Sequence, residues 1–405
     1  MTARAAAQPG DIPLSVSEPT ARRRLDSLDL VRGLVMVIMA LDHVRDFFHH
    51  DALLYDPTDL GRTTPVLFFT RWITHLCAPA FVLLAGMGAY LYGSRGRTRG
   101  EVARFLLTRG LWLVVVEVTL VRFALFFNFD YNFFFLQVIW VIGWSMVALA
   151  GLIFLPLRAI AGVGIAMIVG HNLLDGMGPA PFSSFAPGAK PLSAGDWLWS
   201  VVHVPNPPVI YPLIPWIGVM AVGYTLGAPA RGDRARRRRE FIRLGLALTA
   251  AFVALRAING YGDPAPWTGQ ASPVYTLLSF LNTTKYPPSL LFLLMTLGPA
   301  LVLLGLFDRT PGPIARFFIT FGRVPFFFYI LHFYLIHLLA LVAAAWTGFD
   351  VRQFLVMPFS FPQEYGFSLG VAYMVWIGVV LVLYWPCRWF GELKARKTDA
   401  WLSYL

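Results

Sequence analysis

About ten apolar stretches, each long enough to form a membrane helix, recur along this chain, and they constrain its fold more than any other feature. A run of about 20 apolar helical residues spans the hydrocarbon core of a bilayer. Apolar residues make up 57% of the sequence and charged residues 14%, which excludes a soluble globular enzyme. We therefore predict an all-α polytopic bundle with spans near residues 28–48, 66–92, 105–127, 133–156, 158–174, 208–228, 241–258, 288–307, 324–346 and 367–388.

The rest of the sequence predicts tails around one membrane domain. Residues 1–24 contain prolines and no apolar run, so we predict a disordered cytoplasmic tail there and not a secretory signal. The membrane domain is predicted over 25–391 and a second cytoplasmic tail over 392–405. Two cysteines in the whole chain exclude a disulfide scaffold.

The net charge of +11 first suggests nucleic acid as a partner, but its distribution points to the lipid bilayer. With the N-terminus in the cytoplasm and the spans alternating, 21 basic residues fall on the cytoplasmic side and five on the external side. The positive-inside rule explains this bias and predicts that both termini are cytoplasmic. We therefore predict no nucleic-acid partner.

Six further basic residues lie within or at the edge of predicted spans. An arginine at mid-depth in a membrane helix costs at least about 2.5 kcal/mol on insertion scales, so some compensating group must offset that cost. Either carboxylates within the membrane or a polar cavity holding an anionic ligand would do so. The pattern indicates an anion-accepting path along Arg32, Arg45, Arg71, Arg109, Arg122 and Arg323.

The first span carries a cation near its cytoplasmic end and an imidazole near its external end. Arg32 and His43 are 11 residues apart, which is about three helical turns and places both on one face, about 16 Å apart. Asp42 and Asp46 flank His43, so we predict that one of them orients His43 as a general base. The alternative is that Asp42, Arg45 and Asp46 form only local ion pairs at the helix end.

The second span places Arg71 and His75 on one helical face, in its external half. Pro79 is expected to kink this span and open a cavity beside them. We predict that both side chains line a site there. The alternative is that His75 is a hydrogen-bonded core histidine.

The ninth span begins GRVPFFFYILHFYLIH, in which Tyr329 and His332 share a face. His332 and His337 are five residues apart, which is a poor spacing for two metal ligands on one helix, and we predict no metal site. In the external loops, Asn282 and Lys285 stand among aromatic residues that suit a sugar. These aromatic residues could equally form an interfacial belt.

The spacing of Arg32 and His43 resembles the hallmark motif of membrane-bound acyltransferases of the acyltransferase-3 type. RLDSLDLVRG, residues 24–33, also resembles the opening of the heparan-α-glucosaminide N-acetyltransferase catalytic domain, and the likeness extends to about Trp389. The resemblance implies a transmembrane acyltransferase domain over 25–391, in a bacterial cytoplasmic membrane. Such an enzyme takes an acyl group, here expected to be acetyl, from cytoplasmic acyl-CoA. It delivers the group to a glycan or small-molecule acceptor, expected to be a sugar amine or hydroxyl, on the external side.

Within this resemblance we assign expected roles to the polar residues. His43, Asp42 and His75 are the expected catalytic residues. The pair His49 and His50 is an alternative base, because the lysosomal enzyme of the family carries its histidine in the loop after the first helix. The expected acceptor contacts are Asp46, Arg71, Asn282, Lys285 and His332, and the expected ligands of the acetyl-CoA phosphates are Arg32, Arg109 and Arg323.

Two other classes of function stay open at this stage. A transporter for a proton-coupled or anionic solute would also place Arg, His and Asp within the membrane. A non-catalytic membrane scaffold is the second alternative. The sequence leaves open the acceptor, the acyl chain length, and whether transfer is direct or passes through an acyl-enzyme. It also leaves open the oligomeric state, with a homodimer among the alternatives.

Overall fold

The computed structural model describes residues 25–185, 191–397, 399 and 402, and regular structure within them is helical. The predicted tail over 1–24 lies outside the described residues, as does part of the tail over 392–405. Within the described residues, the α-helices in chain order are α1 Asp26–Phe48, α2 His50–Leu54, α3 Pro65–Thr74, α4 Cys77–Gly93, α5 Arg99–Val116, α6 Arg122–Phe126, α7 Val138–Leu152, α8 Leu157–Gly170, α9 Ala194–Val202, α10 Leu213–Ala230, α11 Arg234–Ile258, α12 Pro273–Leu281, α13 Leu290–Leu306, α14 Pro313–Arg323, α15 Pro325–Trp346 and α16 Leu369–Arg396.

By length and composition, six helical stretches of the described chain are able to cross a membrane, which makes this a multi-pass bundle. They are Pro65–Gly93, Leu157–Leu174, Leu213–Ala230, Arg234–Ile258, Pro325–Trp346 and Leu369–Arg396. The apolar helices α7 and α13 are shorter, with 15 and 17 residues. Helices α1 and α5 are longer but carry several charged residues. The predicted count of ten spans is therefore not confirmed, and the orientation of the termini stays a prediction.

Helix α1 lies at the centre of the bundle, in contact with α3, α4, α13, α14, α15 and α16. Most of its residues are buried, including the charged residues Asp29, Asp42 and Arg45. We call Asp26–Arg32 the arginine end of α1 and Asp42–Asp46 the histidine end. Because α1 is surrounded by other helices, its charged groups face protein and not lipid, as polar residues within a membrane must.

The arginine end packs against α14 through two glycines. A Cβ atom at Gly33 would lie 1.8 Å from the carbonyl oxygen of Phe318, and one at Gly322 would lie 1.8 Å from that of Asp29. The two backbones therefore touch directly, which small residues permit between membrane helices. This contact brings the Gly322 carbonyl oxygen to 3.4 Å from Arg32 Nη1.

The second predicted span is broken at His75–Leu76, where α3 ends and α4 follows. Pro79 explains the break, because a proline has no N–H and its ring clashes with the carbonyl four residues earlier, which is that of His75. The kink expected from Pro79 is therefore confirmed. It places His75 beside the histidine end of α1 instead of deep within a continuous helix.

An arginine organises the long loop between α11 and α13. The guanidinium of Arg256, at the end of α11, is 1% exposed. Backbone carbonyls surround it, and they offset the loss of hydration of the buried charge. It donates to the carbonyl oxygens of Phe280, Ala265, Ser279 and Asn282 at distances from 2.7 to 3.2 Å.

Candidate active site

A cavity of about 790 Å³ opens at the arginine end of α1. Its walls come from α1, α4, α5, α7, α15 and the ends of α10, α11, α14 and α16. Most of the lining is apolar, as in typical ligand pockets, whose volumes are roughly 300–1,000 Å³. The cavity is therefore large enough for a sizeable organic ligand.

The charged lining of this cavity is almost entirely basic. Seven lining residues are arginine or lysine, and one, Asp29, is acidic. Three of the seven are the predicted phosphate ligands Arg32, Arg109 and Arg323. The other four are residues that the sequence explains as topology signals in cytoplasmic loops: Arg95, Arg231, Arg237 and Lys394. An arginine fork binds phosphate oxygens in pairs, so the arrangement suits a polyanionic ligand.

Neighbouring acids hold several of these cations in place. Arg32 lies 3.4 Å from Asp29, and Arg323 lies 3.8 Å from Asp26. Farther out, the guanidinium of Arg237 binds both carboxylate oxygens of one aspartate, Asp308, at 2.7 and 2.9 Å. These contacts orient the cations without surrounding them with acids, so the cavity keeps its positive character.

The cavity does not extend to the histidine end. Its lining on α1 runs from Leu28 to Met36, and on α15 it reaches Tyr329. Met36 is seven residues before His43, which is about 10 Å along the helix axis. Tyr329 is the nearest lining residue to the histidine end on α15, with its ring centroid 5.5 Å from that of His332. The lining of this cavity therefore ends before His43.

At the histidine end, carboxylates pair with arginines. Asp42 accepts hydrogen bonds from Arg71 at 2.5 Å and from Thr74 Oγ1 at 2.9 Å, and it lies 2.8 Å from Arg45 Nη1. Arg45 also binds Asp46 at 2.5 Å. The prediction that Asp42 or Asp46 orients His43 is thus wrong for this structure, because both carboxylates are bound to other side chains. Consecutive residues on a helix also point in different directions.

The partner of His43 comes from α15. His43 Nδ1 lies 2.6 Å from His332 Nε2, and His332 Nδ1 lies 3.1 Å from the carbonyl oxygen of Phe328. Phe333 stacks on the His43 ring, with centroids 4.2 Å apart. His332, expected as an acceptor contact, is therefore the hydrogen-bond partner of His43.

His75 and Lys285 complete the polar surroundings of Asp42. His75 is 3% exposed, and its Nδ1 is buried without a hydrogen-bond partner among the described residues. It lies within electrostatic reach of Arg71, Lys285 and Asp42. Lys285 Nζ stands 5.1 Å from the centre of the Tyr286 ring. The structure thus brings Asp42, Arg71 and His75 close to Lys285, which the sequence analysis placed only in an external loop.

Asn282, expected as an acceptor contact, has a different contact in the structure. Its amide nitrogen donates to the carbonyl oxygen of Thr58 at 3.0 Å and joins two loops.

The two histidines considered as an alternative base, His49 and His50, make other contacts. His49 Nδ1 accepts the N–H of Ala52 at 3.2 Å and caps the short helix α2. His50 lies at the surface beside Asp51. Neither histidine lies in the pair on α1 and α15.

The six arginines of the predicted spans fall into three groups. Arg32, Arg109 and Arg323 line the cavity, whereas Arg45 and Arg71 pair with aspartates. Arg122 donates to carbonyl oxygens of the following loop, those of Asn128, Asp130 and Phe133. Charge compensation therefore differs from one arginine to the next, and the predicted single anion path through all six is wrong.

Sequence reasoning missed Thr74 and the four additional cations of the cavity. Thr74 lies one turn after Arg71, so an inspection of polar residues on that face would have found it. The four cations come from four different segments, near the ends of α4, α10, α11 and α16. Their convergence depends on how the helices pack, and a single sequence carries no signal for it.

A multi-pass bundle with a polyanion cavity at one end of a central helix and a histidine pair at the other indicates a membrane-bound group-transfer enzyme. The model of one family, described as "Heparan-alpha-glucosaminide N-acetyltransferase, catalytic", matches residues 24–257, which is more than half of the chain. The chain belongs to this family and is a membrane-bound acyltransferase. The match ends before α15, so His332 lies beyond it. A search of curated proteins finds no significant match.

Proposed function

We propose that this protein transfers an acetyl group from acetyl-CoA, bound in the basic cavity, to an amine or hydroxyl of a glycan or small-molecule acceptor at the histidine end. The observation that carries the proposal is the cavity lined by seven cations and one acid. The family provides the acetyl-transfer chemistry. The cavity provides a binding place for the phosphates of the donor substrate on the same helix that carries His43.

The donor is expected to bind with its phosphates near Arg32, Arg109 and Arg323, and its pantetheine arm along α1 and α15. Since the cavity lining reaches Tyr329 but not His43, the arm passes the Tyr329 ring to deliver the thioester. For the thioester to reach the histidine pair by this route, the Tyr329 side chain would have to move aside. This makes Tyr329 the boundary between donor binding and transfer.

At the histidine end, His43 removes the proton of the acceptor group that attacks the thioester carbonyl. The positive charges of Arg71 and Lys285 stand near Asp42 and His75, where they stabilise the negative charge that develops on the carbonyl oxygen. Asp46 is partly exposed beside them and provides an acceptor contact. The engagement of His49 as a helix cap favours His43 as the base.

The excess of basic residues on one side supports placing the arginine end in the cytoplasm, where acyl-CoA is available. Acetyl then leaves the membrane domain on the external side. By resemblance to bacterial proteins with this domain, the membrane is the bacterial cytoplasmic membrane.

Donor binding is measured on detergent-purified protein with a thiol-reactive dye. Cys77 and Cys387, the two cysteines of the sequence, are both buried, so the dye reports unfolding. Acetyl-CoA has no free thiol and is expected to raise the unfolding temperature by binding the folded state. Arg109→Gln is expected to weaken binding about tenfold or more, because a charged hydrogen bond contributes about 1.5–3 kcal/mol. The matched control is Arg158→Gln, which replaces an exposed arginine outside the cavity lining.

Transfer is measured with radiolabelled acetyl-CoA and glucosamine as the acceptor probe, and His43→Ala is expected to abolish it. A chain that neither binds acetyl-CoA nor transfers label, yet carries anions across proteoliposome membranes, would be a transporter. That result would overturn the proposal.

A further inference from the structure

We infer that His43 and His332 form a neutral pair with fixed proton positions, in which His43 reacts through Nε2 and His332 is the positioning residue that exposes this nitrogen. The inference rests on the proposed function for its chemistry. The proton positions themselves follow from hydrogen bonds on α1 and α15 and do not depend on any substrate.

The Phe328 carbonyl oxygen determines which ring nitrogen of His332 carries the hydrogen. Its Nδ1 faces the carbonyl oxygen of Phe328 at 3.1 Å. A carbonyl oxygen only accepts hydrogen bonds, so this Nδ1 carries a hydrogen. His332 is 0% exposed, and its described contacts include no carboxylate, so a charged ring there would be strongly disfavoured. The ring is therefore neutral, and its Nε2 carries a lone pair.

The His332 ring in turn determines which nitrogen of His43 carries the hydrogen. His332 Nε2 can only accept, so His43 Nδ1, 2.6 Å away, donates to it. The two ring planes differ by 25°, which is compatible with a hydrogen bond in the plane of both rings. A neutral His43 with its hydrogen on Nδ1 has its lone pair on Nε2. The proton position in His43 is thus set by the Phe328 carbonyl through His332.

The Nε2 atom of His43 is not enclosed by the residues around it. His43 is partly exposed, whereas His332, Phe333 and Asp42 around it are buried. Its Nε2 makes no hydrogen bond within the described part of the chain and is not among the enclosed polar atoms without a partner. Phe333 covers one face of the ring and holds its orientation. The basic nitrogen is therefore not sealed from its surroundings by the described residues.

In the transfer, His43 Nε2 takes one proton from the acceptor and returns it to the leaving group. The acceptor oxygen or nitrogen attacks the thioester carbonyl carbon while its proton moves to His43 Nε2. The carbon–sulfur bond breaks, and the same proton passes from Nε2 to the departing thiolate, which gives the free thiol of coenzyme A. While His43 is charged, its Nδ1–H donates a stronger bond to His332 Nε2. His332 thus has the orienting role that a carboxylate has in a catalytic triad.

The proton positions are tested directly by NMR of the full-length protein labelled with ¹⁵N in its histidine rings. The chain has eight histidines, and His43→Gln and His332→Gln identify the signals of the pair by their loss. The expected result is a proton on Nδ1 and none on Nε2 in both rings. A proton on Nε2 of His43 would overturn the inference. No donor or acceptor is needed, so the outcome is independent of whether the proposed function holds.

The matched control for this measurement is His337→Gln. His337 lies on the same helix and is also 0% exposed, but its nitrogens face the carbonyl oxygens of Ala124 and Phe354 at 2.9 and 2.8 Å. Its replacement is expected to leave the signals of His43 and His332 unchanged. A change in the His43 proton position in this variant would show that general packing, and not His332, sets it.

Kinetics test the positioning role with His332→Gln and His332→Leu. The glutamine oxygen can accept the His43 Nδ1–H, whereas leucine cannot. Since His332 does not line the cavity, both variants are expected to keep acetyl-CoA affinity within about twofold. The leucine variant should lose about 10²-fold or more in kcat, and glutamine should restore part of it. Equal losses in the two variants, or full activity with leucine, would overturn the inference.

Discussion

The close contact between α1 and α14 makes Gly33→Ala an informative substitution. The new Cβ atom would lie 1.8 Å from the Phe318 carbonyl oxygen, and real Cβ contacts below 3.0 Å are essentially never seen. The two helices must therefore separate by about 1 Å or more. The obstacle is backbone and not the flexible end of a side chain, so no rotamer change relieves it.

The magnitude follows from two opposing effects. Overpacking of this kind costs about 1–3 kcal/mol, while alanine is better than glycine in a helix interior by about 0.5–1 kcal/mol. A net loss of up to about 2.5 kcal/mol in folding stability is expected. The separation also shifts Arg32 against Arg323, and a displacement of about 1 Å in substrate-positioning groups can reduce transfer about 10²-fold.

The assay is unfolding in detergent, followed with the thiol-reactive dye, together with acetyl-CoA binding. Gly378→Ala is the control, because a Cβ at this exposed position of α16 meets nothing within 4 Å. The control is expected to unfold at the wild-type temperature or slightly above it. Gly33→Ala should unfold at a lower temperature and bind acetyl-CoA more weakly. If both alanine variants behave alike, direct backbone contact is not what holds the arginine end together.

Three further predictions concern buried polar contacts. Glu117→Ala should lower the unfolding temperature more than Glu117→Gln. Glu117 Oε1 accepts the Gln137 N–H at 2.9 Å beside the start of α7, and glutamine keeps an acceptor there. Equal losses in unfolding temperature would contradict this. Arg256→Lys should speed proteolysis within residues 259–287, since one ammonium cannot replace the guanidinium that binds several carbonyls; an unchanged cleavage rate would count against that role. Arg71→Gln should cost about 1.5–3 kcal/mol, because Asp42 loses one charged hydrogen bond while Arg45 stays beside it. Adding Asp42→Asn should recover part of this loss, whereas additive losses in the double-mutant cycle would refute the pairing.

Much of the local structure could be predicted from the sequence. Pro79 predicts the kink in the second span, and the break lies at the residue four positions earlier, as the ring clash requires. The charge pattern of α1 predicts two polar ends, and the structure has them. The count of ten spans could not be decided in this way, because apolar length alone does not separate a crossing helix from a charged helix enclosed by others.

For the candidate site as well, the sequence determined some features and the tertiary structure determined others. The sequence by itself determined three things. Composition determined a multi-pass helical protein, the helical period placed Arg32 and His43 on one face of one helix, and the motif indicated the family. Only the tertiary structure decided the partner of His43, which is 289 residues away on α15, while Asp42 next to it binds Arg71. Helical period fixes which residues share a face of one helix. Which helix meets that face depends on packing between distant segments, through contacts such as those of Gly33 and Gly322.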